Sequence, residues 1–110
     1  MLNAYCLVGR LVSDPKIIET ENDRKVCKIT LAVPRNYKNA DGIYETDFIR
    51  CILWNGIAKN TSEYCHKGDL VGVKGRLQTR KYEDENKEDK YITEVIVDKV
   101  SFLASKRETE

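Results

Sequence analysis

The sequence predicts an all-β domain with one short helix, built as a five-stranded barrel. Three observations point there. Apolar residues recur with period two through most of the chain, a single stretch switches to helical spacing, and polar stretches separate the segments. At 110 residues the chain has material for one core rather than two. Its 41% hydrophobic and 34% charged residues belong to a folded domain rather than a disordered one.

The first strand is read over residues 3–11. Its run Ala4, Tyr5, Cys6, Leu7 and Val8 is apolar on both faces and needs cover on both. A second subunit could supply that cover, and so could the chain's own end through Phe102 and Leu103. The second strand, 25–33, places Cys27, Ile29, Leu31 and Val33 on one face and Val26, Lys28, Thr30 and Ala32 on the other, after which Pro34 interrupts the ladder. Asp41-Gly42 then marks the turn of a long, mobile hairpin between Arg35 and Thr46. The third strand, 46–54, carries Ile49, Cys51 and Leu53 on one side and Phe48, Arg50, Ile52 and Trp54 on the other.

Ile57, Ala58, Thr61, Tyr64 and Cys65 follow the spacing of one amphipathic helix, which stops at Gly68. Two long strands, 70–82 and 91–103, flank a solvated acidic tip at 83–90. Three strands, a helix and two strands is the order of the Greek-key OB-fold barrel, although strand patterns alone leave other small barrels open. Residues 1–104 are read as that domain and 105–110 as a short disordered end.

The net charge of +1 hides an asymmetry. Residues 1–82 hold 14 Lys and Arg against 9 Asp and Glu, whereas residues 83–110 hold 5 against 9. A polyanion would be drawn to the first part, although a mixed solvated surface can show such an imbalance by chance. Four cysteines without any Cys-x-x-Cys spacing, and a single histidine, His66, argue against a metal site, and no cofactor is expected. The apolar run before Arg10 is too short for a signal peptide, and no stretch is long enough to cross a bilayer. A cytoplasmic protein with free thiols, making no membrane contact, is therefore expected.

Tyr37, Phe48, Trp54 and Tyr82 lie on or beside strands, each within a few positions of Arg35, Lys38, Arg50, Arg80 or Lys81. Single-stranded nucleic acid calls for this mixture: its bases stack on aromatic rings while its phosphates are met by cations. A lone aromatic on a strand is more often a core residue, but Phe48, Arg50 and Trp54 share one phase. On the fourth strand Lys74, Arg76, Gln78, Arg80 and Tyr82 share a face opposite Val71, Val73, Gly75 and Leu77. A solvated outer face would look similar there without Tyr82.

Several segments together resemble the bacterial single-stranded DNA-binding protein family. They are Leu-Val-Gly-Arg-Leu (7–11) with Asp14-Pro15, Thr-Leu-Ala-Val (30–33), Thr-Asp-Phe-Ile-Arg-Cys (46–51), Tyr64 with Lys67-Gly68, Gly-Arg-Leu-Gln-Thr-Arg-Lys-Tyr (75–82) and Thr-Glu-Val (93–95). The resemblance spans residues 1 to about 103. It implies an OB-fold that assembles as a homotetramer, and the two-sided apolar run Ala4, Tyr5, Cys6, Leu7 and Val8 independently suggests the subunit interface. It implies a nucleoid-associated protein that wraps single-stranded DNA during replication, recombination and repair. The family's stacking positions fall on Tyr37, Phe48, Trp54 and Tyr82, and its phosphate contacts on Arg50, Lys67 and Arg80. Arg10, Lys28, Arg35 and Arg76 are added from their charge and strand placement.

The chain departs from the family pattern in three places. Relatives that recruit partner proteins carry a long tail with an acidic tip, whereas this sequence stops at Ser-Lys-Arg-Glu-Thr-Glu (105–110). It reads as a truncated or naturally tailless form, and partner recruitment is not carried over. Pro34 stands where relatives often have a polar residue. Tyr37 and Tyr82 stand where some have Trp, a larger stacking surface. Catalysis is not expected, since His66 belongs to no recognisable nucleophile pattern and no phosphate-loop glycine spacing is present. An OB-fold serving RNA, a primosomal dimer or a protein partner remains open on fold alone.

Overall fold

Alternating burial organises the strands of the computed structural model, which describes residues 2–106. The elements run β1 (Tyr5–Leu11), β2 (Ile17–Glu19), β3 (Lys25–Lys38), β4 (Tyr44–Trp54), α1 (Asn55–Tyr64), β5 (Leu70–Glu83) and β6 (Asp89–Ala104). They hydrogen-bond in the order β1-β5-β6-β4-β3-β2, and β1 turns back onto β3 to close the sheet. The five long strands form the closed barrel of an OB-fold, with α1 as its one helix. All pairings are antiparallel except β4 with β6. Closure therefore follows the predicted order of three strands, helix and two strands.

The barrel fills from the inward phase of each strand. Leu31, Leu53, Val71, Val95, Cys27 and Cys51 are its largest wholly buried side chains, and Leu11, Ile29, Val73 and Val97 complete the core. The helix adds Ala58 and Thr61, and Cys65 follows at its end. Tyr64, placed by spacing on the same apolar face, is instead 71% exposed. The helix ends at Tyr64, where Cys65 returns to extended backbone, so Gly68 does not stop it. Gly68 lies in the following loop, whose buried Asp69 accepts a hydrogen bond from the backbone N–H of His66 at 2.8 Å.

Two further expectations are corrected. Strand β3 continues through Pro34, which still pairs with Thr46, and the irregularity falls between Pro34 and Lys38. A proline on an outer stretch of hairpin costs the ladder one donor without ending the strand. The hairpin loop is accordingly short, turning between Asn39 and Ile43. The Asn39 side chain accepts from the N–H groups of Asp41 and Ile43, and Gly42 supplies a φ of +75°. The three-residue strand β2 was not anticipated; it pairs Ile17 with Cys27 and Glu19 with Lys25. Of the segment read as a disordered end, residues 107–110 lie outside the described residues.

The four thiols are unpaired, and only that of Cys6 lies on an exposed residue. Burial pushes the thiols of Cys27 and Cys65 upward and that of Cys51 up to about 12. Only thiolates react readily with disulfide reagents. Cys27, Cys51 and Cys65 are accordingly expected to resist such a reagent at pH 8 and to react once urea unfolds the chain. Rapid native-state reaction at any of the three would contradict this core.

Candidate nucleic-acid interface

The outward phase of β3 and β4 builds the centre of the site. The register sets Ala32 opposite Phe48, Thr30 opposite Arg50, Lys28 opposite Ile52 and Val26 opposite Trp54. Side chains of one phase share a face, so Phe48, Arg50 and Trp54 stand in line with Lys28 and Thr30 beside them. Phe48 is 65% exposed, which leaves its ring open to a ligand. Trp54 is 36% exposed at the far end of the row.

A second strip joins this row across the β4–β6 seam. Strand β5 presents Arg76, Gln78 and Arg80 outward, with Gln78 opposite Glu94 on β6. Arg80 Nε donates to Glu94 Oε1 at 2.9 Å. The seam is short, pairing only Cys51 with Val95 and Ile52 with Ile96. Cations from three strands therefore meet around one recess of about 190 Å³, lined by Lys28, Thr30, Arg50, Ile52, Arg80 and Glu94. Where β4 and β6 part, a neighbouring recess lies beside Phe48 and Arg50, with Tyr5, Leu77 and Ile92 also in its wall. Leu77, expected on the core side, is 38% exposed at this opening.

The other predicted residues take varied positions. Tyr37 and Tyr82 are exposed near the tips of the β3–β4 and β5–β6 hairpins, away from the central row. Arg35 is held on its own hairpin, with Nη1 donating to Glu45 at 2.8 Å and Nη2 to Asp47 at 2.9 Å. Arg10 donates from Nη1 to the Gly68 carbonyl at 2.9 Å, which ties β1 to the loop carrying Lys67. Arg10 and Lys67 thus lie together, outside the central recess. Arg76 donates to its neighbour Gln78 at 2.8 Å.

Sequence reasoning missed two cation–ring contacts, one of them to a predicted aromatic. The Arg24 guanidinium lies over the Trp54 ring at 5.3 Å, and the Lys38 ammonium over Tyr44 at 5.6 Å. Arg24 reaches Trp54 because the turn from β2 into β3 delivers it there, beside the Val26–Trp54 pair. Without β2, nothing in the sequence aimed that turn. Among the described residues no group of three or more His, Cys, Asp or Glu could hold a metal ion, and no helix is long and apolar enough to cross a membrane.

The family model described as the single-strand binding protein family matches residues 2–103. The chain is 49% identical over 106 residues to the single-stranded DNA-binding protein B of Bacillus subtilis, covering 96% of this chain and 94% of that protein. It is 46% identical over 110 residues to the single-stranded DNA-binding protein 1 of Staphylococcus aureus, covering 70% of it. It is 44% identical over 110 residues to the single-stranded DNA-binding protein of Lactiplantibacillus plantarum, of which it spans 55%.

The hairpin cluster has a pH signature. The hydrogen bond from Arg35 holds the Asp47 carboxyl below the usual carboxylate range and holds the guanidinium in its charged form. A carboxyl with a lowered folded value stabilises the hairpin above its ordinary value of about 3.9 and loses that contribution as pH falls through the lowered one. An NMR titration of Asp47 should give a midpoint below that ordinary value. Asp47→Asn should speed amide exchange at Asn39, whose N–H donates to the Ile43 carbonyl. A normal titration midpoint would show the contact with Arg35 to be absent in solution.

Proposed function

Because this chain belongs to the single-strand binding protein family, we propose that it binds and protects single-stranded DNA without sequence specificity in replication, recombination and repair. The family is not one of enzymes. The observation that carries the reading is the outward row of Phe48, Arg50 and Trp54, whose Arg50 joins Lys28 and Arg80 around one recess. Bases stack on Phe48 and Trp54, each contact worth about 1–3 kcal/mol and indifferent to base identity. Phosphates lie against Lys28, Arg50 and Arg80 and shed their condensed counterions.

The two hairpins extend this path. Tyr37 and Tyr82 offer further stacking surfaces at their ends. Arg76 continues the cationic strip along β5, while Arg10 and Lys67 form a separate basic point. Arg35 meets a phosphate only by exchanging one of its carboxylate partners. Nucleoid association in the cytoplasm follows from the ligand.

The assembly we propose is a homotetramer. Tyr5, Cys6, Leu7 and Val8 have ladder partners only on β5, leaving their other edge open. The end of β6 pairs with β5 and makes no ladder with β1. Val8 is 54% exposed, and Cys6, Val8 and Gly72 line a shallow depression on the outer face. A second copy pairing along β1 removes both the open edge and the apolar surface.

Trp54 is the sole tryptophan, so its fluorescence reports stacking directly. Adding oligodeoxythymidine should quench it, and an unchanged signal with no mobility shift would refute strand binding. Arg50→Ala should make the plot of log K against log salt shallower by about 0.7, the share of one phosphate on a single strand. Phe48→Ala should weaken binding by about 1–3 kcal/mol while leaving that slope in place.

Light scattering should give the mass of four 12.7 kDa chains. Val8→Asp, exposed in the single chain, should lower that mass without unfolding the barrel. Cys6 should likewise resist thiol reagents in the wild-type assembly and react in the Val8→Asp form. A wild-type mass of one chain would dismiss the tetramer.

A further inference from the structure

We infer that Glu94 is a positioning residue for strand binding, fixing the Arg80 guanidinium at the edge of the recess it shares with Lys28 and Arg50. This rests on the strand-binding reading above and names the group that sets its geometry. Glu94 is 5% exposed, although it lies opposite the exposed Gln78 in the outward phase of β6. A buried carboxylate holds its cation far more firmly than an exposed one does, because leaving it unpaired is costly. Arg80 satisfies it through Nε alone, at 2.9 Å, while its side chain remains 46% exposed.

The consequence follows from guanidinium geometry. The donors of Arg lie in one rigid plane, so anchoring Nε fixes the direction of both Nη groups. Among the described residues neither Nη group of Arg80 makes a side-chain hydrogen bond, which leaves that edge free for a phosphate oxygen. Charge balance supports the same role. Lys28, Arg50 and Arg80 would repel one another around an empty recess, and a single anion among them lowers that cost while leaving an excess of positive charge for the strand.

A carboxylate beside a phosphate path has a competing effect, since it repels the strand. The two effects have opposite signs, so mutation separates them. Oligodeoxythymidine binding is read by Trp54 quenching across a salt series, with thermal melts checking the fold. Glu94→Ala should weaken binding about as much as Arg80→Ala, by about tenfold, and both should make the salt slope shallower by about 0.7. The double variant should bind no worse than Arg80→Ala. Glu94→Gln, which keeps an acceptor for Nε, should restore the wild-type slope.

Arg80→Lys leaves Glu94 in place and so avoids the risk that altering a buried residue disrupts folding. It keeps the charge but loses the rigid fork, and should bind nearly as weakly as Arg80→Ala. Glu94→Ala binding as tightly as wild type or more tightly, or Arg80→Lys binding like wild type, would overturn the inference while strand binding by the wild-type protein stood. Failure of the wild-type protein to bind the oligonucleotide would instead remove the strand-binding reading itself.

Discussion

Two short seams close this sheet on itself, and the rest of the molecule depends on them. At one, β1 leaves β5 and meets β3 through Arg10 with Ala32 and Leu11 with Leu31. At the other, β4 and β6 meet in parallel through Cys51 with Val95 and Ile52 with Ile96. So few ladder bonds cannot hold a barrel by themselves. The seams close because Leu31, Cys51, Val95 and Leu11 place their side chains in the core at those same points, so burial does the work that pairing does elsewhere. Gly9 belongs to the same constraint: a Cβ there would stand 2.8 Å from the Ala32 carbonyl oxygen, so any larger residue would push β1 away from β3.

The brevity of the parallel seam also shapes the functional face. Had β4 and β6 paired along their whole length, the outward rows of β3–β4 and β5–β6 would have formed one continuous surface. Instead the strands part beyond Cys51, and recesses form beside the junction. Arg50 lines both recesses, and so does Glu94 from the other strand. A barrel closed by side chains rather than by backbone thus gains concave, polar ground next to exposed aromatics.

Period-two reasoning made much of this legible. The inward set from Cys27 to Leu31 and from Cys51 to Leu53, and the outward row of Phe48, Arg50 and Trp54, could be read because alternate residues of a strand must face opposite ways. Pairwise ionic contacts could not be read in the same way. That Arg35 reaches Glu45 and Asp47 depends on the hairpin register past Pro34. That Arg80 reaches Glu94 depends on the β5–β6 register, which shifts between Lys74 and Gly75. Strand β2 escaped notice because three residues are too few to establish a period, and with it went the aim of Arg24 at Trp54. The buried face of the helix was misjudged at Tyr64, which helical spacing placed inward but which the barrel leaves uncovered.

A protein of net charge +1 is a weak attractant for a polyanion, so the placement of its charges matters more than their sum. The carboxylates here are distributed unevenly among the cations. Arg35, Arg80 and Lys81 each have an acidic partner within 3.0 Å, whereas among the described residues Lys28 and Arg50 have none within ion-pair distance. Lys81 with Asp89 is a solvent-exposed pair on a hairpin and contributes little to either stability or binding. Arg80 with Glu94 differs because one partner is out of solvent. The recess therefore brings together two cations without an ion-pair partner and one whose direction is set by a buried carboxylate, beside the row of exposed aromatics.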